Sequence, residues 1–79
     1  MNAPFSPLPP AVRDHIRALV SLARYQQHRS LELRRWAAEA TRQGNADAAA
    51  KWSTQADRYR LDAVWHLHHA QSRKDAHHG

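Results

Sequence analysis

The chain has 79 residues and no cysteine, and 12 Lys and Arg against 7 Asp and Glu give it a formal net charge of +5. Disulfide staples and thiolate metal sites are therefore excluded, and no stretch approaches the roughly 20 apolar residues that span a bilayer. One domain at most fits this length, and so short a chain packed only against itself is marginal without further support, so self-association is the default expectation.

Met1 to Pro10 carries neither the basic segment nor the apolar segment of a secretory signal. With no membrane span, the expected compartment is the cytoplasm, and no membrane partner is expected. Ser6-Pro7-Leu8-Pro9-Pro10 cannot be interior helix, so residues 1–9 read as a Pro-rich N-terminal arm. Proline is tolerated in a first helical turn, where its missing N–H would be unpaired anyway. The first helix is predicted over about residues 10–43. Gly44-Asn45 then supplies a left-handed stop followed by an N-cap, and Asp47 falls in the positive first turn of the next helix. The second helix is predicted over about residues 46–72, where Arg73 and Lys74 suit its negative end, with residues 74–79 as a frayed tail. The expected fold is all-α: a single helical-hairpin domain over residues 1–79.

The most informative pattern is a heptad. Ala49, Ala56, Ala63 and Ala70 recur every seven residues, with Trp52, Tyr59 and His66 at the complementary position. The first helix answers with Ile16, Ala23, Ser30, Ala37 and Gly44 at one seam position and Leu19, Gln26, Leu33 and Ala40 at the other. Small residues on one line let two backbones approach closely, while larger ones on the other fill the flanks. This arrangement resembles the alanine-rich antiparallel helix pairing called an Alacoil, a packing mode that implies no activity. With the turn at Gly44-Asn45, Trp36 is expected near Trp52, Ser30 near Tyr59 and Ala23 near Trp65. Gln26 and Ser30 are expected to set the register by hydrogen bonding.

Ten of the twelve basic residues are arginine, which favours bidentate recognition of carboxylate or phosphate. An Ala-rich, Lys-poor composition is also what a GC-rich bacterial genome or its mobile elements write. At about 100° per residue, Arg13, Arg17, Arg24, His28, Arg35 and Arg42 share a narrow sector of the first helix, apart from Asp14, Glu32 and Glu39. Such a stripe suits an acidic protein surface or a phosphate backbone, and its bland alternative is a solvated face with side-chain stems lying over the seam.

On the second helix Ala46, Ala50, Leu61, Val64, Trp65 and His68 lie opposite the seam. A hairpin buries one face per helix, so the Leu61, Val64 and Trp65 cluster marks an interface. A homodimer completing a four-helix bundle would cover it, against its own copy or against a strip of Leu22, Tyr25, Leu33 and Trp36 on the first helix. A groove on a foreign partner is the alternative occupant. Asp62, His66 and His69 share a helical face at metal-ligand spacing, with His15 or His28 available from elsewhere, but one helix seldom supplies a complete site and His66 also reads as a seam residue.

No catalytic residue set is expected, because no nucleophile motif, phosphate loop or carboxylate pair is present and a two-helix hairpin lacks a concave pocket. The function expected from the sequence is that of a small non-enzymatic binding module without a cofactor. It would be a homodimeric regulator or inhibitor, of the size carried by phages and plasmids, engaging a larger acidic protein through the arginines and the aromatic patch. The alternatives are a nucleic-acid-associated basic protein and a histidine-based metal-binding bundle.

Overall fold

The computed structural model describes residues 8–78, and the expectations for residues 1–7 of the N-terminal arm and for Gly79 lie outside the described residues. Two helices, α1 (Pro10–Arg42) and α2 (Ala46–His78), pack against each other as an antiparallel hairpin. No strand occurs among the described residues. Each helix has 33 residues, which at 1.5 Å per residue makes a rod of about 50 Å.

The ends of the helices follow their local chemistry. Pro10 occupies the first turn of α1, and the Pro9 carbonyl accepts the first helical bond from the Arg13 N–H at 2.9 Å. At the other end Gly44 takes φ +76°. There the Asn45 N–H donates to the Ala40 carbonyl at 2.8 Å and the Gly44 N–H donates to that of Thr41 at 3.0 Å. These two bonds form a Schellman closure, which requires the left-handed conformation that glycine adopts without a Cβ penalty. Asn45 then caps α2: its side-chain Oδ1 accepts from the Ala48 N–H at 3.1 Å, and its carbonyl accepts from Ala49 at 3.1 Å. The break is confined to three residues, as the Gly44-Asn45 pair predicts.

The second helix departs from expectation. It does not stop near residue 72 but continues to His78, so residues 74–78 are helical rather than a frayed tail. Nothing between Ala46 and His78 breaks a helix, Gln71 donates to Asp75 at 2.9 Å one turn on, and Ala70 is buried against α1. Basic residues near a helix end are compatible with a terminus but do not cause one. Arg73, expected at the end, instead extends the Trp52, Tyr59 and His66 row and is half-buried. Its Nε has no hydrogen-bond partner among the described residues.

The seam is the one predicted. Ala23, Ala37, Ala56, Ala63 and Ala70 are buried, with Leu19, Leu33 and Ala40 on the complementary line, which Val12 extends toward the N-terminus. Gly44 falls in the exposed turn instead of the seam, and Ala49 is half-buried. Leu33, which the periodicity also assigns to an outer strip, is fully buried, so it belongs to the core and is not available to a partner.

The two buried polar residues of α1 each reach the facing helix. The Ser30 hydroxyl donates to the Ala56 carbonyl at 2.8 Å, and Gln26 Oε1 lies 2.9 Å from His66 Nδ1, a bond in which the imidazole N–H donates to the amide oxygen. Ser30 therefore bonds to the backbone one turn before Tyr59. Ala23 is fully buried, whereas Trp65 turns outward and is 61% exposed.

Two predictions test the seam. Ala56→Leu or Ala63→Leu should overpack the close contact and lower stability by about 1–3 kcal/mol in a denaturant melt; wild-type melting by both would place the contact elsewhere. Gln26→Leu should cost about 1–3 kcal/mol by leaving His66 without its partner, and the Gln26→Leu/His66→Leu double variant should recover most of that loss. Strict additivity of the two single changes would show that the pair is not coupled.

Candidate functional site

A hairpin of two helices has two lateral sides and two outer faces, and the seam determines which residues reach each. Arg13, Arg17, Val20, Arg24, Gln27, Leu31 and Arg34 step along α1 at alternating intervals of four and three residues, which keeps them on one side. On α2 the same side receives Arg60, Leu67 and Lys74, which recur every seven residues. The pairing is direct at two places. Arg60 lines a depression with Gln27, Leu31 and Arg34, and Lys74 joins Arg13, Arg17 and Arg24 around a second one.

That second depression is a shallow groove of about 360 Å³. Leu8, Ile16 and Val20 are half-buried and form its floor, while Arg13, Arg17, Arg24 and Lys74 are exposed around it. Arg13 has only a long, exposed contact of 3.9 Å to Asp14, which contributes little. Arg17, Arg24 and Lys74 have no acidic partner among the described residues. The sequence pattern puts Lys74 in a frayed tail, and its place beside the arginines depends on the register of α2 against α1.

The remaining members of the arginine stripe differ from one another. Arg35 is exposed and without an acidic partner among the described residues. Arg42 is bound to Glu39, through Nε at 2.9 Å and through a second, shorter contact from Nη2, and Gln43 donates to the other oxygen of the same carboxylate. Its charge is thus largely answered inside its own turn. His28 is exposed. Arg34 reaches across to Asp57 at 3.2 Å, which ties the two helices together on the basic side.

The opposite side is aromatic. Trp36 and Trp52 meet edge to face with ring centroids 5.3 Å apart, as the hairpin register predicts. The Arg29 guanidinium lies 5.1 Å over Trp36, and Lys51 lies 5.1 Å over Trp52. Arg29 also bonds to Glu32 at 3.3 Å. This bond above all, with Tyr59 adding to it, pushes the Arg29 pKa up against the opposing cost of burial; arginine is in any case a cation at any ordinary pH.

Leu61, Val64 and Trp65 stand on the outer face of α2 at 59%, 56% and 61% exposure, with exposed His68 beside them. Leu22, Tyr25 and Trp36 are likewise exposed on α1, together with Leu31, which periodicity does not single out. The Trp65 indole is not bare. His69 stacks on it nearly parallel, at 5.2 Å and 5°, and the His66 ring meets it edge-on at 5.3 Å.

The Asp62, His66 and His69 row is used differently from a metal set. His66 is held by Gln26, His69 lies between Trp65 and His15 with ring centroids 5.9 Å apart in the latter pair, and Asp62 lines a shallow depression with Gln55, Arg58 and Tyr59. Among the described residues no group of three or more His, Asp or Glu side chains is placed to hold a metal ion. No helix among them is long and apolar enough to cross a membrane.

Comparison with protein-family models, with curated proteins and with solved structures returns no match to the chain.

The aromatic side yields its own prediction. A double-mutant cycle on Trp36→Ala and Trp52→Ala should give a coupling of about 0.5–1.5 kcal/mol, the usual value of an edge-to-face pair beyond its buried area. A coupling of zero would mean that the indoles do not meet in solution.

Proposed function

We propose that this chain is a small non-enzymatic binding module that pairs with a second copy of itself and presents its basic side to a larger acidic protein, as a stoichiometric regulator or inhibitor. The observation that carries this reading is the group of cations Arg17, Arg24 and Lys74, unanswered by acidic residues among those described, beside an apolar floor. Cations alone would serve a phosphate backbone equally well. A floor of Leu8, Ile16 and Val20 is what an apolar side chain of a protein partner would cover, so the protein reading is favoured over the nucleic-acid one.

Self-association rests on the outer face of α2. Among the described residues Leu33 is the only large side chain that is completely buried, and most of the remaining apolar core is alanine. A seam so poor in large side chains supplies little burial energy per residue, while Leu61, Val64 and Trp65, at 59%, 56% and 61% exposure, would each contribute on the order of 1–2 kcal/mol if the exposed part were covered. A symmetric dimer through this face would build the four-helix core that the single hairpin lacks.

Each half of the proposal has a test. Light scattering should find a dimer, and Trp65→Glu should yield monomers that melt at a lower temperature; a wild-type monomer, or a variant that stays dimeric and melts normally, removes self-association through this face. Replacing Arg17, Arg24 and Arg35 together by alanine should leave helicity unchanged by circular dichroism while slowing association with captured partners. Affinity capture from a lysate with and without nuclease measures the second effect: binding lost on nuclease treatment and steeply weakened by salt would transfer the basic side to nucleic acid.

A further inference from the structure

We infer that the groove between the first turns of α1 and the last turns of α2 receives an acidic amphipathic helix of the partner protein, with an aliphatic side chain seated on Leu8, Ile16 and Val20 and carboxylates on Arg13, Arg17, Arg24 and Lys74. This rests on the reading of the basic side as a protein-binding surface and names the kind of segment it takes.

Charge and spacing select the occupant. Arg13, Arg17 and Arg24 are separated by four and seven residues, or about 6 Å and 10 Å along the helix axis. Glutamates at the same intervals on an incoming helix would lie opposite them. Arginine's planar fork binds a carboxylate through two parallel N–H donors, an arrangement that an ammonium on a flexible stem does not supply. Lys74, the one ammonium of the set, comes from the other helix and lines the groove together with them.

The same features exclude the other occupants. A second copy of this chain carries the same net charge of +5 and would bring cations to cations, and its acids at a seven-residue interval, Glu32 and Glu39, stand beside Arg29 and Arg42. A phosphodiester backbone offers nothing to cover three half-buried aliphatic side chains. A membrane surface calls for a continuous apolar face bordered by aromatic residues, and the tryptophans of this hairpin pair and stack away from the basic side.

Fluorescence anisotropy on the full chain tests the inference with four defined probes: a helical peptide with a leucine stripe bordered by glutamates, the same peptide with alanine for leucine, a short DNA duplex, and phosphatidylglycerol vesicles. The leucine peptide should bind at least about 10-fold more tightly than its alanine counterpart, since each lost aliphatic contact is worth a factor of this order. Lys74→Glu and Val20→Ser should each reduce that affinity by about 10-fold at unchanged helicity, whereas Thr54→Glu, an exposed change on α2 away from the groove, should not. Equal binding of the two peptides overturns the groove assignment and leaves an acidic partner for the arginines standing. The groove assignment is overturned in the same way if the Arg17, Arg24 and Arg35 replacement abolishes peptide binding while Lys74→Glu does not. Absence of binding by the leucine peptide overturns the inference alone, because lysate capture reports separately on the wider proposal. Tighter, Lys74-dependent binding of the duplex or the vesicles overturns both.

Discussion

The structure depends on how closely two helices can approach along an alanine seam. A serine hydroxyl is short, and Ser30 reaches the Ala56 carbonyl of the facing helix at 2.8 Å, which it can do only where no larger side chain separates the backbones. The alanines at positions 23, 37, 56, 63 and 70 provide that clearance. The Ser30 bond and the Gln26 to His66 bond then act as a two-point clasp. Slipping α2 by one residue would rotate it by about 100°, break both bonds and bury polar atoms without partners, at a cost of about 1–3 kcal/mol for each.

Close approach has a second consequence. A seam lined with methyl groups has no room for large side chains, so these are displaced to the flanks. Trp36 and Trp52 meet at one edge, and Ile16 and Val20 line a groove at the other. The hairpin thereby acquires sides of different character: one with indoles, imidazoles and their cation contacts, the other with guanidinium groups around a small apolar floor. Among the described residues, cations of both helices gather around the groove on the basic side with few acids to answer them, Arg34 with Asp57 being a cross-helix ion pair farther along that side.

The same economy in the core shapes the functional proposal. Alanine burial stabilises little per residue, and a two-helix rod exposes much of its surface whatever its sequence. Covering Leu61, Val64 and Trp65 with a second copy and the groove with a partner helix would add the apolar burial that the seam withholds. The two proposed surfaces also differ in what they reject: like charge keeps the basic side from pairing with itself, whereas the outer face of α2 carries no such barrier at its Leu61, Val64 and Trp65 core.

Local chemistry made much of this fold legible in the sequence. Gly44-Asn45 determined the turn because only glycine accepts the left-handed conformation cheaply and asparagine can cap the next helix, and the heptad determined the seam because a period of seven keeps small residues on one line. The polar positions Gln26 and Ser30 were legible as register elements for the same reason. The end of α2 was not, since Arg73 and Lys74 resemble a terminal turn while no breaker stops the helix before His78. Nor was the withdrawal of Arg42 from the stripe, which depends on the rotamer that brings it to Glu39. Above all, the tertiary structure decided that Lys74 completes the arginine groove and that His69 of α2 meets His15 of α1. Both depend on the mutual register of two helices, which is not contained in the periodicity of either one.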